Sequence, residues 1–314
     1  MRIAILSFAH ERAEDYARLL CARSDVELIA ADDDQARARR AADRLGIFVG
    51  TIDEAFAAAP DAVVVTSAPA GHRALVERAA AVGAHVLCEQ PLATDEADAV
   101  AMVEACSRAG VGLVLSGPAR CSPAFGELRR IMDDGGLGTV LTVHGVHTTV
   151  PRVTGAGAVA GNLAHLADLV DGMLGGDPAV QVYAQAGTVP AAADGVEGAA
   201  LVSVTYRSGT TAAFDVRVAE TAGDHGPVVT VFGTSGNVEF EPCGRLLGRF
   251  DTMTGRDRWE TEDSALHADM LDRFVAGARA GGHCAPDGTA GLRVLRILRA
   301  AHRSMETGGP VDVG

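Results

Sequence analysis

Lysine is absent from this chain of 314 residues, so all 27 of its basic positions are arginine. No lysine is therefore available anywhere as a catalytic group. Long apolar runs are missing too. With no stretch of about 18 consecutive apolar residues, a membrane-spanning helix is excluded. Clustered positive charge is lacking, and the formal net charge of -14 argues against nucleic acid or an anionic membrane surface as partners. The six cysteines are scattered without a CxxC pair or any metal-ligand spacing, which suits a reducing cytoplasm and gives no metal site. His144 and His147 lie on a strand-like segment, where residues three apart point to opposite faces, so they are not a ligand pair. No signal peptide, internal repeat or low-complexity linker is expected, and arginine-rich, alanine-rich composition fits a GC-rich bacterial genome.

The chain exceeds the usual size of one core, so two domains are expected, residues 1–117 and 118–314. In the first, apolar runs of strand length recur at Arg2 to Phe8, Val26 to Ala31, Ala62 to Thr66, His85 to Cys88 and Val111 to Leu115. Helix-period segments separate them at Glu14 to Cys21, Gln35 to Leu45, His72 to Val82 and Ala97 to Ala109. Thr94 followed by Asp95 and Glu96 reads as an N-cap with an acidic first turn. This alternation predicts a doubly wound parallel sheet of the Rossmann type. The second domain reads as α+β: a helix from Ser122 to Asp134 and then mostly strands, giving an open, mainly antiparallel sheet. Alternation at Val202, Val204 and Tyr206 gives one side of a strand an apolar surface that needs a cover.

The turn after the first strand reads Ser7-Phe8-Ala9-His10-Glu11-Arg12 where a dinucleotide fold carries G-x-G-x-x-G. All three glycines are missing, though Ser7 and Ala9 remain small enough for backbone amides to approach a pyrophosphate; an ordinary strand-to-helix turn is the alternative. The second strand ends in Asp32-Asp33-Asp34. An acid stands there in dinucleotide folds to accept from the adenosine ribose hydroxyls and repel a 2′-phosphate, which favours NAD over NADP. Asp33 or Asp34 also reads as the N-cap of the next helix, and Arg37, Arg39 and Arg40 as a solvated helix face.

Four further segments carry a resemblance. They are Gly83-Ala84-His85-Val86-Leu87-Cys88-Glu89-Gln90-Pro91-Leu92-Ala93; Thr66-Ser67-Ala68-Pro69-Ala70-Gly71-His72; Gly117-Pro118-Ala119-Arg120; and Gly161-Asn162-Leu163-Ala164-His165-Leu166-Ala167-Asp168. Together they resemble the glucose-fructose oxidoreductase / inositol dehydrogenase (Gfo/Idh/MocA) family over essentially the whole chain. The resemblance implies an NAD-linked oxidoreductase acting on a small molecule, a sugar, cyclitol or related hydroxyl or keto compound, and a homo-oligomer, dimer or tetramer, assembled through the apolar face of the second domain's sheet. It implies cofactor contacts from Ser7, Phe8, Ala9, His10, Asp32, Asp33, Ser67, Ala68, Pro69, His72, Glu89 and Arg120. His165 and Gln90 fall at the catalytic positions, and Asn162 and Asp168 at substrate contacts.

Two departures stand against that pattern. Gln90 replaces the family's catalytic lysine, and Gly161 replaces its substrate-contacting aspartate. Gln90 can donate a neutral hydrogen bond but cannot carry charge or relay a proton, leaving His165 as the base. These losses keep two other readings open, a non-redox lyase, isomerase or cyclase and a binding or scaffold protein on the same architecture.

Overall fold

A computed structural model describes residues 1–149, 157–187, 197–218, 225–242, 246–251, 256–261, 265–282 and 284–314. The chain divides into two compact units: Met1–Ser116 with His267–Leu292, and Gly117–Leu266 with Arg293–Gly314. In place of the single boundary expected near residue 117, the chain leaves the first unit and returns to it for residues 267–292.

The first unit runs β1 (Arg2–Leu6), α1 (Ala13–Cys21), β2 (Glu27–Ala31), α2 (Gln35–Leu45), α3 (Ile52–Ala57), β3 (Ala62–Val65), α4 (His72–Ala81), β4 (His85–Cys88), α5 (Glu96–Ala109) and β5 (Leu113–Leu115). The strands form one parallel sheet in the order β2-β1-β3-β4-β5. Ile3, Ala4, Ile5 and Leu6 of β1, an interior strand, are fully buried, because a strand covered on both faces needs apolar side chains throughout. Each large aliphatic side chain so buried contributes about 1.5–3 kcal/mol. The strand order reverses beside β1, so the turns after β1 and β3 flank the crevice where open α/β sheets bind ligands. Helix α5 is capped by Asp95, whose side chain accepts from the Asp98 amide, one residue beyond the expected Thr94. Helix α3 was not anticipated; Thr51 and Glu54 close a capping box at its start.

The second unit begins with α6 (Pro123–Asp133), capped by Ser122, and β6 (Val140–Thr149). A π-helical segment, Val159–Leu163, then opens into α7 (Ala164–Met173). Strands β7 (Ala179–Gly187), β8 (Ala199–Tyr206), β9 (Thr211–Val218), β10 (His225–Gly233), β11 (Asn237–Phe240), β12 (Leu246–Asp251) and β13 (Arg256–Thr261) follow. Helix α8 (Leu266–Arg279), helix α9 (Gly288–Thr307) and β14 (Val311–Asp312) complete the chain. Among the described residues the sheet has the order β13-β12-β11-β10-β6-β9-β8-β7-β14. It is mainly antiparallel, with β6 and β9 parallel.

One face of this sheet packs on α7 and α9 through a core that includes Leu166, Val170, Phe214, Val216 and Leu298. Val202, Val204 and Tyr206 point into that core, at most 2 % exposed, which corrects their assignment to an uncovered face. The opposite alternation carries Val146 and Leu201, exposed by 40 and 58 %, and Leu141, at a register shift near the start of β6, is exposed by 52 %. No helix among the described residues is long and apolar enough to cross a membrane.

Candidate active site

The turn after β1 keeps a glycine's backbone without the glycine. Ser7 has φ of +78°, in the left-handed region that L-residues rarely adopt. Its hydroxyl compensates locally, accepting from the Ala9 amide at 3.2 Å and donating to Asp32 Oδ2 at 3.3 Å. The Ser7 carbonyl accepts from Thr66 Oγ1 at 2.6 Å, and the His10 amide donates to the Thr66 carbonyl at 3.0 Å. The turns after β1 and β3 are thereby joined.

The strand-end acids are engaged by the fold itself. Asp32 Oδ2 accepts from the Phe8 amide at 2.7 Å and from Arg37 Nε at 2.9 Å; Oδ1 accepts from the Asp34 amide at 2.8 Å and from Arg37 at 3.0 Å. Its side chain is 1 % exposed, that of Arg37 35 %. Burial alone would raise the Asp32 pKa, but the Arg37 fork and the two amides overcome it and hold the carboxyl below its ordinary value. Asp34 is the N-cap of α2, accepting from the amides of Ala36 and Arg37, and Asp33 accepts from the Ile52 amide at the start of α3. Asp32 is therefore a structural anchor, with both carboxylate oxygens engaged by Arg37 and backbone amides. Asp33 is exposed, and its carboxylate bonds the start of α3 while Asp32 and Asp34 take Arg37.

Glu89 follows β4 and is nearly buried. Tyr16 of α1 donates to Glu89 Oε1 at 2.6 Å and lies 3.2 Å from Ser116 Oγ, which follows β5. Burial, reinforced by the Glu89 charge, pushes the Tyr16 phenol well up. His10 Nδ1 stands 3.7 Å from Glu89 Oε1, and the ring of His267 packs 5.8 Å from that of Tyr16. Burial and the Arg12 charge lower the His267 pKa. Gln90 Nε2 donates to the Ser116 carbonyl at 2.7 Å, and since a carbonyl must receive a donor the amide orientation is fixed. Gln90 Oε1 is buried with no hydrogen-bond partner among the described residues. The amide at the lysine position thus directs one donor into the fold.

His72 is fully buried. Its ring nitrogens lie 3.1 Å from the Leu92 carbonyl and 3.0 Å from the Ser67 carbonyl, tying the turn after β3 to the segment after Gln90. Burial lowers its pKa. Its place inside the fold corrects its reading as a direct cofactor contact; Ser67, Ala68 and Pro69 on the turn it supports remain at least partly exposed.

In the second unit, His165 is half-buried on the first turn of α7, its ring 5.6 Å from that of His147 on β6. Asn162 is 1 % exposed. It donates to the Arg217 carbonyl at 2.6 Å and the His147 carbonyl at 3.4 Å, and accepts from Thr149 at 3.1 Å. It fastens the π segment to β6 and β9, a correction to its expected substrate contact. Asp168 pairs with Arg120 at 2.7 Å, Arg120 with Asp171 at 2.9 Å, and Arg293 with Asp171 at 2.5 Å. Arg120 and Asp168 were expected at cofactor and substrate; their charges instead neutralise each other in the interior. A Cβ on Gly161 would meet no described atom within 4 Å, so the first carbon of the family's aspartate side chain has room there among the described residues. Most of the expected substrate loop, residues 150–156, lies outside the described residues.

The reading of the sequence missed Tyr16, Ser116, His267 and the role of Arg37. A dinucleotide fits the shape of the first unit, with its left-handed turn, small Ala9 and acidic β2 end, but most backbone donors of that turn are already engaged.

These features define a dinucleotide-binding α/β fold joined to a second α+β unit. Residues 5–116 match the description "Oxidoreductase family, NAD-binding Rossmann fold", and residues 125–239 match the GFO/IDH/MocA C-terminal domain. The chain belongs to the Gfo/Idh/MocA oxidoreductase family. It is 29 % identical over 307 residues to inositol 2-dehydrogenase of Rhizobium meliloti, covering 92 % of each chain. It is 28 % identical to D-apiose dehydrogenase of Paraburkholderia graminis, over 80 % of this chain and 72 % of that one. In fold it is similar to an Agrobacterium radiobacter oxidoreductase solved with NAD+, L-tartaric acid and magnesium, with a TM-score of 0.85 at 20 % identity over 100 % of this chain and 98 % of the other.

Proposed function

We propose that the protein oxidises a hydroxyl group, or reduces the corresponding ketone, of a sugar or cyclitol, using NAD(H) in preference to NADP(H). The match of both domains to one oxidoreductase family carries this reading, and relatives named for inositol and D-apiose give the substrate class. The β1 turn and the segments Ser67 to Pro69 and Glu89 to Gln90 would hold the cofactor, which supplies a hydride acceptor when bound. Asp32, Asp33 and Asp34 against Arg37 alone leave the β2 end net negative, which disfavours a 2′-phosphate. His165 takes the hydroxyl proton as the single base, and Gln90 contributes a neutral hydrogen-bonding group. The six cysteines, scattered without a CxxC pair or metal-ligand spacing, support a reducing, cytoplasmic setting. The exposed Leu141, Val146 and Leu201 support a homo-oligomer.

A second reading, a non-redox enzyme or a binding protein on this fold, is favoured by one observation: the Gln90 amide is directed to the Ser116 carbonyl. Mass spectrometry of gently purified protein decides between them. Retained NAD or NADH supports the oxidoreductase. Protein free of nucleotide that also fails to bind added NAD(H) removes it.

A further inference from the structure

The β1 turn has little backbone to offer an anion. The Phe8 amide donates to Asp32 Oδ2 at 2.7 Å and the Ala9 amide to Ser7 Oγ at 3.2 Å. The His10 amide donates to the Thr66 carbonyl at 3.0 Å, the Arg12 amide to His10 Nδ1 at 3.3 Å and the Ala13 amide to the His10 carbonyl at 3.1 Å. In a glycine-rich turn such amides face the ligand. Here each already has an acceptor.

Side chains at the same turn carry the donors instead. Arg12 occupies the position of the third glycine and is the N-cap residue of α1, where its side chain makes no capping bond. Its guanidinium meets Asp15 at 3.4 Å and Glu11 at 3.9 Å, in pairs that are 39–48 % exposed. Exposed pairs of this kind hold weakly and exchange partners at little cost. Because His10 Nδ1 accepts the Arg12 amide, the neutral ring carries its proton on Nε2, which makes that nitrogen a donor. The His10 side chain is 31 % exposed. Acids stand around it, Glu11 on the turn, Glu14 and Asp15 in the first turn of α1 and Glu89 beneath, and the arginines further off, Arg18 and Arg44, are paired with Glu14 and Asp15. A diphosphate approaching these groups requires a cation, and Arg12 is the one the turn itself provides.

We propose that Arg12, assisted by His10 Nε2–H, binds the diphosphate of the dinucleotide in place of a backbone cradle. The proposal rests on the dinucleotide-binding reading above. A guanidinium fork matches two phosphate oxygens, and because this one is exposed, its contribution is screened by salt.

The test is equilibrium titration of the full chain with NADH, ADP and AMP at low and high ionic strength. The wild type should bind ADP more tightly than AMP and lose NADH affinity as salt rises. Arg12→Ala should weaken NADH and ADP by about 10- to 100-fold, the scale of one charge-assisted phosphate contact. It should also erase the ADP-over-AMP advantage and flatten the salt dependence. Arg12→Lys should recover part of the loss, and His10→Ala should show a smaller one. NADH binding unchanged in both Arg12→Ala and His10→Ala overturns the proposal and leaves the oxidoreductase reading intact. Binding of ADP that depends on Arg12, with no binding of NADH or NADPH, upholds the diphosphate site and removes that reading. Protein that binds none of these ligands overturns both.

Discussion

Asp168 and Arg120 pair at 2.7 Å with side chains only 2 and 10 % exposed, yet the Asp168 carboxyl is pushed up to about 6. Burial is the larger effect, and the Arg120 charge offsets it only in part. A folded-state pKa above the unfolded value near 3.9 means the folded protein holds the proton longer. This group's contribution to stability is therefore greatest below about pH 4 and declines as pH rises to about 6. An asparagine side chain does not titrate, so the stability of the wild type relative to Asp168→Asn should fall by about 1–3 kcal/mol between pH 4 and 7. Urea unfolding at both pH values checks this. A change in the opposite direction would mean that Arg120 outweighs burial.

Arg120→Met leaves Asp168 with no cation and Asp171 with Arg293 alone. A loss of about 3–5 kcal/mol is expected, the usual consequence of a buried charge without its partner. Thermal melting of the variant near neutral pH measures it, and a shift within error of zero would show that the network relaxes toward solvent.

Asp32 behaves with the opposite sign. Its lowered pKa means that its stabilisation is present above the unfolded pKa and disappears as pH falls through the folded one. Asp32→Asn should cost about 2–3 kcal/mol at neutral pH, since bonds from Arg37 and two amides lose a charged acceptor. The gap from wild type should close below pH 4, as read by melting across that range.

Ser7 separates strain from hydrogen bonding. Ser7→Ala keeps the unfavourable φ and loses the hydroxyl bonds to Asp32 and Ala9, so it should cost about 1–2 kcal/mol. Ser7→Gly loses the same bonds but relieves the backbone and should lie within about 1 kcal/mol of wild type. Equal urea midpoints for the two variants would deny any strain at this residue.

His165→Asn should abolish oxidation of a reactive polyol while NAD binding persists. Gln90→Lys should raise turnover about 100-fold or more, the scale of one charged contact to a developing oxyanion. Gly161→Asp should add to that gain, because a Cβ there meets no described atom within 4 Å. Nicotinamide absorbance against a panel of sugars and cyclitols measures all three, and full activity in His165→Asn would require a different base.

The parallel sheet was legible because its strands are continuous apolar runs, and Ile3 to Leu6 or Ala62 to Val65 admit few other readings. Helix α3 could also have been read, since Thr51 and Glu54 announce a capping box. The site was legible only as motif positions. Tyr16 reaches Glu89 and Ser116 across 73 and 100 residues of sequence, and no periodicity reports such a meeting. Arg37 follows Asp32 by five residues, yet a helical arginine on a polar face gives no sign that it turns back onto a strand end. Asn162, Asp168 and Arg120 carry the residue types of a substrate site, and only burial and partners reveal them as fastenings.

The π segment before α7 gives the site helix its phase. Five consecutive residues, Val159–Leu163, stand in the wider winding, which amounts to one residue more than a regular α-helix would hold there. Each residue of an α-helix turns the chain by about 100°. Removing one residue from this segment would therefore rotate everything before it by about that angle relative to His165, swinging Asn162 off the carbonyls of His147 and Arg217. Three- and four-residue spacing rules do not apply between Gly161 and His165, and the bearing of one on the other is set by the inserted residue.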